Sequence, residues 1–155
     1  MRSNPIVKAI GIGIVAGMRT FSAPALTSRY LVRQNRHASQ SSASNPMASS
    51  WLGGILTLAA AGELVADKLP SIPSRISPPL LTGRFLSGAI CGASICHAEG
   101  ERADVGAIIG GLSAIASAYI TYYARRKLSE HLPDTVVAVT EDALAVIGGS
   151  QILYR

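Results

Sequence analysis

Among the ionisable side chains within or at the ends of the apolar stretches of this 155-residue chain, six are candidates for chemistry. They are Glu63, Asp67, Glu141, Asp142, Arg19 and Arg84. Glu63 and Asp67 are four residues apart, so on a helix they share one face. Ionisable groups inside apolar helices are expensive to insert and commonly mark ion or proton pathways. We therefore take these six as candidate ion- or substrate-binding residues, in which the arginines set carboxylate pKa values or hold an anion.

Five apolar runs carry these residues, and their lengths suit helices that cross a bilayer. The runs cover residues 5–32, 51–68, 80–97, 105–127 and 134–154. None alternates with a period of two, so strands are not predicted. Residues 105–124 include no charged side chain, whereas a soluble amphipathic helix would show a charged face. The prediction is one all-α domain, 1–155, built as a polytopic membrane bundle of about five Gly/Ala-rich helices.

The connections between the runs indicate an orientation. Residues 33–50 form a polar, flexible loop, and residues 69–79 hold four prolines that no helix can accommodate. Three tyrosines precede the basic cluster 125–127, as at a helix that leaves a bilayer on the cytoplasmic side. If all five runs span, the N-terminus lies on the side of this cluster. We therefore expect a multi-pass membrane protein with a cytoplasmic N-terminus.

Small residues at helical spacing predict where helices approach each other closely. The helix-packing candidates are Gly13, Gly17, Gly88, Gly92, Gly106 and Gly110. The last two continue to Ala114 and Ala118 as a stripe, which we expect to serve as an assembly face. Five helices enclose little space, so a homo-oligomer, with a dimer favoured, is the expected state.

The first two runs resemble the last two in pattern. Each pair opens with a glycine pair, ends its first helix in basic residues and carries acids on its second helix. One helix between the pairs would give them opposite orientations, which is the inverted-repeat plan of many transporters. A two-helix inverted repeat around a central helix is one interpretation of this pattern.

Other kinds of site are not expected. The turn that holds His97, Glu99, Glu101 and Asp104 lacks a second His/Cys pair at metal-site spacing, so we expect no metal. Cys91 and Cys96 would point in different directions on one helix, so no disulfide is expected between them. No G-x-S-x-G motif occurs, and basic residues cluster at run ends rather than among exposed aromatics. The expectation is no enzyme, no cofactor and no nucleic-acid partner.

Several motifs together resemble the bacterial membrane family called domain of unknown function 4126. They are Gly17-Met18-Arg19 with Ala23-Pro24, Glu63-xxx-Asp67-Lys68-x-Pro70-xx-Pro73-x-Arg75, Gly83-Arg84-xxx-Gly88-Ala89 and Glu141-Asp142. The resemblance runs from about residue 11 to residue 149. It implies a small polytopic inner-membrane protein, and it implies no activity.

Two functions from different classes therefore stay open. In the leading hypothesis the protein is an ion- or proton-coupled transporter or channel whose acids bind a proton, a small cation or a small solute. In the alternative it is a membrane scaffold or assembly protein whose buried charges only fix helix packing. Loss of flux on neutralising the acids would favour the first hypothesis.

Overall fold

A computed structural model describes residues 4–37, 45–66, 77–128 and 134–154. Six α-helices fill these ranges, with a short 3-10 helix at Pro46–Ala48 and no strand. They are α1 Pro5–Met18, α2 Ser22–His37, α3 Ser50–Ala66, α4 Pro78–Ala98, α5 Ala103–Leu128 and α6 Asp134–Tyr154. The all-α prediction is confirmed.

The prediction of a single helix over 5–32 is wrong, because the chain breaks between α1 and α2. Arg19 is extended, with φ −142° and ψ 119°. Pro24 falls in the first turn of α2, where its missing N–H costs least. Because Pro24 has no N–H, it could not donate to the carbonyl of Thr20 four residues earlier, even in a continuous helix. The Ser87 hydroxyl donates to this carbonyl oxygen instead, at 2.5 Å. The proline thus favours a break that α4 completes.

Helices α1 and α2 fold back on each other as a hairpin. The Lys8 Nζ of α1 donates to the Tyr30 hydroxyl of α2 at 2.9 Å, although the two residues are 22 positions apart. Helix α1 has 14 residues, about 21 Å at 1.5 Å per residue, which is shorter than a bilayer core of about 30 Å. The hairpin therefore enters the bundle and returns. In its tip, residues 19–21, Arg19 is buried and Thr20 is half-buried, while Phe21 is exposed.

Glycines let α1, α4 and α5 pack backbone to backbone at the centre. A Cβ on Gly110 would overlap the carbonyl oxygen of Gly88, and one on Gly92 would overlap that of Gly106. Gly13 and Gly17 meet α5 in the same way. The stripe 106–118 is consequently buried within the chain. The prediction that this stripe is a free assembly face is wrong, since α4 and α1 occupy it.

Some charged side chains of the molecule are buried, and many large apolar side chains are exposed. Lys8, Arg19 and Arg84 are buried, while more large aliphatic and aromatic side chains are exposed than buried among the described residues. Leu58 is 74% exposed and Trp51 75%. By length and composition α4 and α5 could each cross a membrane, and α1 is apolar but short. Five such helices were expected, and the described residues contain two that meet both criteria.

The two ends of the bundle are defined by charged contacts. At the Lys8 end, Lys8 pairs with Glu99 at 2.5 Å, just before α5 begins at Ala103. Arg125 lies 22 residues further along α5, about 33 Å away at 1.5 Å per residue, at what we term the Arg125 end. The start of α1 therefore lies at the opposite end of the bundle from the 125–127 cluster, whereas the sequence placed the N-terminus and the cluster on one side. The hairpin returns the chain to the Lys8 end, whereas one straight helix would have carried it to the opposite end.

Candidate functional site

The Glu63 carboxylate closes the break between α1 and α2. Its Oε1 accepts the Thr20 N–H and its Oε2 accepts the Phe21 N–H, both at 2.8 Å. These two N–H groups are the ones that the break leaves without a helical acceptor. Helix α3 brings Glu63 to them from its last turn. One carboxylate thereby satisfies the backbone of the hairpin tip and contributes charge-assisted hydrogen bonds.

Arg19 and Asp142 form an ion pair beside this tip. The Arg19 guanidinium donates from Nη2 to Asp142 Oδ1. The Arg19 side chain is 4% exposed and that of Asp142 20%. The extended backbone at Arg19 ends α1, and this places the guanidinium between α1 and α6. Because each charge neutralises the other, the pair tolerates an apolar surrounding that either charge alone would not.

The remaining candidates lie around the same tip or outside the described residues. Arg84 is buried on α4, on the stretch between Gly83 and Ser87 that faces Thr20. Glu141 accepts a hydrogen bond from Arg125 at 3.5 Å, one residue before the Asp142 ion pair. Asp67 lies outside the described residues. The two acidic motifs of the sequence thus approach one place, from α3 and from α6.

The tip lies at mid-depth in the bundle. Ser87, which bonds Thr20, is near the middle of α4, and Asp142 is near the middle of α6. The Ser117 hydroxyl of α5 donates to the carbonyl of Ile14 at 2.9 Å, one turn before the tip. A cleft of 330 Å³ between α5 and α6 extends from Leu128 to Met18, and Glu141 lines it. The cleft connects the Arg125 end with the residue that precedes Arg19.

Sequence reasoning missed a second charged cluster at the Lys8 end. Lys8 donates to Glu99 at 2.5 Å and to Tyr30 at 2.9 Å, and the Tyr30 hydroxyl donates to Glu99 at 2.7 Å. Lys8 is not among the candidates selected from the sequence, yet it lies inside α1 and is buried. Its position after Pro5, which starts the helix, was the available signal. This cluster fixes the open end of the hairpin as Glu63 fixes the tip.

The acidic turn between α4 and α5 does not assemble a metal site among the described residues. Glu99 is engaged by Lys8, and Asp104 accepts two hydrogen bonds from Arg102 at 3.2 and 2.5 Å. The bond with Asp104 raises the pKa of the Arg102 guanidinium. Gly100, with φ 82°, supplies the left-handed residue that this tight turn requires. Glu99, Asp104 and Gly100 are therefore explained by their contacts and backbone geometry within the fold.

The site around the tip combines a carboxylate that can change its protonation state with a backbone segment that depends on that carboxylate. An ionised Glu63 accepts both N–H groups, whereas a protonated carboxyl accepts hydrogen bonds only weakly on its hydroxyl oxygen. Proton or cation binding at Glu63 would therefore compete with the two backbone bonds. No nucleophile with an adjacent base accompanies it in the described part of the site. The arrangement suits ion binding linked to a conformational change.

Comparison with known proteins places nearly the whole chain in one family. A family model described as a domain of unknown function, DUF4126, matches residues 6–152. This range takes in the hairpin, the tip and both acidic motifs. No curated protein and no solved structure matches the chain.

Proposed function

The chain belongs to the family of domain of unknown function 4126, whose description assigns no activity, and we propose a function from the site itself. The proposal is that this is a small multi-pass membrane protein that moves a proton or small cation. The carboxylates around the hairpin tip bind the ion. Glu63 is the residue that gains and loses the bound ion, and Asp142, Glu141 and Asp67 are further candidate acidic sites.

A membrane location is supported by the surface of the molecule. The exposed large apolar side chains lie on α1 and α3 to α6, so no single partner face would cover them. In water such a surface would favour aggregation, whereas lipid covers it without cost. The charged side chains Lys8, Arg19 and Arg84 lie inside. We propose the bacterial cytoplasmic membrane, with α4 and α5 spanning and with α3, α6 and the hairpin completing the bundle.

The observation that carries the transport proposal is the bond between Glu63 and a helix break at mid-depth. Broken helices at the bilayer midplane are where many transporters bind ions, because their freed backbone groups coordinate charge. Here the two freed N–H groups of the tip hold a carboxylate. A proton that arrives at Glu63 weakens these bonds and releases the tip. Ion binding and hairpin position are thereby coupled, which is what a carrier requires.

The cleft at the Arg125 end offers a route to this site. It is lined mostly by apolar side chains beside Arg125 and Glu141, and it reaches Met18, next to the Arg19–Asp142 pair. Glu141 and Arg125 face each other across its lining. An ion that enters here meets Glu141 before Asp142, so Glu141 serves as an outer site.

A scaffold remains the second candidate, because paired charges and close glycine contacts also serve packing alone. The Lys8–Tyr30–Glu99 cluster and the Arg19–Asp142 pair would then only lock the hairpin in place. In that case the protein would show no flux, and a leucine pair in place of Arg19 and Asp142 would preserve its function as well as its fold.

Replacement of Arg19 and Asp142 together by leucine separates the two functions. Under the transport proposal, the double variant keeps its helix content and its elution volume in detergent but loses proton or cation flux in liposomes. The exposed pair Arg102 and Asp104, replaced in the same way, is the matched control and should keep its flux. Equal flux in the wild type and in the Arg19→Leu/Asp142→Leu variant would overturn the proposal.

The homodimer and the inverted repeat are retained as proposals with narrower support. Glu63 of α3 and Asp142 of α6 approach the same tip, as a repeat of two acidic helices would arrange them. A dimer would have to use lipid-facing residues, because the small-residue stripe of α5 is occupied. Light scattering of the purified protein in detergent measures the oligomeric state directly.

A further inference from the structure

A groove of 560 Å³ opens between α2 and α3 at the Lys8 end, with the last turn of α6 as its third wall. Arg29 and Arg33 line it from α2, Ser50 and Gly54 from α3, and Tyr154 from α6. Its volume lies within the range of about 300–1,000 Å³ that is typical of ligand pockets. It is separate from the hairpin tip, about two turns further along α2.

The charge of the groove is one-sided. Arg29 and Arg33 are one helical turn apart and share a face, and none of the described residues that line the groove is acidic. In the described part of the chain, neither guanidinium lies within 4 Å of a carboxylate. Guanidinium groups match the oxygens of a phosphate, which they can bind in bidentate fashion. The groove therefore favours an anion.

The Arg33 guanidinium is held in place. It lies 5.2 Å from the centre of the Tyr154 ring, and Tyr154 contacts Tyr30 edge to face at 6.0 Å between ring centres. Tyr30 is in turn fixed by Lys8 and Glu99. A cation that is positioned before the ligand arrives loses less side-chain entropy on binding.

Beside the hydroxyl residues Ser28, Ser50 and Thr57, the groove also has apolar and open parts. Val32 and Leu58 lie beside the arginines, and Leu58 is largely exposed. A Cβ built on Gly54 would meet no atom within 4 Å, so the groove has free space at its floor. A free phosphate ion would leave these apolar residues uncovered. A ligand with a phosphate next to an acyl chain would cover both parts.

From this combination we infer that the groove binds the phosphate group of an anionic phospholipid, with its acyl chain against Leu58 and Val32. The site lies at the end of the bundle, where headgroups would be found if α4 and α5 span the bilayer. The inference does not depend on transport activity. A lipid in this groove would contact α2 and α3 together, and so would steady the helix that carries Glu63 against the hairpin.

Trp51, the single tryptophan of the chain, reports on this groove because it follows Ser50 directly and is exposed. Brominated lipids quench tryptophan on contact. In phosphatidylcholine vesicles, brominated phosphatidylglycerol should quench Trp51 more than brominated phosphatidylcholine at the same mole fraction. At about 1 kcal/mol for each basic residue, Arg29→Gln/Arg33→Gln should reduce the preference by a factor of about five per arginine.

Two further variants keep this test decisive. Arg126→Gln/Lys127→Gln removes the same charge from exposed residues at the opposite end and should keep the preference. Gly54→Leu keeps both arginines, fills the free space and should abolish the preference in a protein of normal helix content. Equal quenching by the two lipids in the wild type would overturn the inference. Inorganic phosphate that removes the preference at a matched ionic strength would show a free-anion site and would overturn the lipid assignment.

Discussion

Glu63 is the side chain on which the hairpin tip depends most directly. Its two oxygens satisfy the N–H groups of Thr20 and Phe21, which the broken helix cannot satisfy itself. Arg19 is fixed one residue earlier by Asp142. A charged acceptor and an ion pair therefore hold three consecutive residues. In an apolar surrounding each of these bonds is costly to leave unmade.

Glu63→Gln tests the acceptor role. Glutamine keeps one carbonyl oxygen and loses the charge, so one of the two N–H groups loses its partner. We expect a loss of about 1.5–3 kcal/mol in the free energy of unfolding, the range for hydrogen bonds to charged groups. Chemical unfolding in detergent, followed by circular dichroism, measures it. Glu101→Gln, on an exposed turn residue, is the control and should unfold as the wild type does.

Arg19 and Asp142 form a double-mutant cycle. Arg19→Leu leaves the Asp142 charge without this partner and should cost about 3–5 kcal/mol. The double leucine variant should recover a large part of that loss, because no charge is stranded. Additive effects of the two single changes would contradict direct pairing. The fully exposed pair Arg102 and Asp104 should show no coupling.

The sequence indicated which residues belong to the site better than it indicated which groups they contact. Arg19 and the acids could be selected because charges within apolar runs are rare. Their partners could not, since the Arg19 guanidinium meets Asp142 across 123 positions and Glu63 meets backbone atoms that only a helix break exposes. Lys8 was missed because a charge near a chain end resembles a flanking residue.

At the scale of elements, the antiparallel pair α4 and α5 forms the centre of the bundle. Gly88 faces Gly110, and Gly92 faces Gly106, in each case with one backbone against the other. Between membrane helices such contacts gain van der Waals energy and need small residues. The periodic glycines predicted close packing, yet not whether the partner helix lies in the same chain.

Gly110→Ala should force α4 and α5 apart. The added methyl group would overlap the carbonyl oxygen of Gly88, which belongs to a backbone that cannot rotate away. We expect a loss of about 1–3 kcal/mol, as for overpacked interiors. Gly148→Ala is the matched control, because no atom lies within 4 Å of its built Cβ. It should be neutral or stabilising by about 0.5–1 kcal/mol. Equal melting temperatures for the two variants would contradict the packing.

The break between α1 and α2 is the element that periodicity alone could not predict. The apolar pattern continues across it, although Pro24 in the first turn of α2 favours a break. Contacts with other helices decide in favour of the break. Ser87 and Glu63 satisfy the groups that it frees, and both come from other helices.

For the whole molecule, the hairpin changes which residues share a side. The start of α1 lies with Glu99 and the α4–α5 turn, while the 125–127 cluster lies at the opposite end of α5. The orientation expected from the sequence assumed that residues 5–32 cross the bilayer once. The hairpin between α1 and α2 removes that crossing.

Labelling of introduced cysteines checks this arrangement. Asn4→Cys and Glu101→Cys should react with a membrane-impermeant maleimide from the same side of sealed vesicles, and Arg126→Cys from the other side. The natural residues Cys91 and Cys96 are buried and should contribute little background. Reaction of Asn4→Cys and Arg126→Cys from one side would contradict the hairpin.

Flux through the purified protein tests the central claim, that the acids at the hairpin tip carry an ion across the membrane. The protein in liposomes, with a pH-sensitive dye inside and a potassium-diffusion potential applied, should show a proton or cation current that empty liposomes lack. Glu63→Gln and Asp142→Asn should each abolish it, while Glu101→Gln should keep it. Flux that persists in both acid variants, or a wild type no leakier than empty liposomes, would contradict the account.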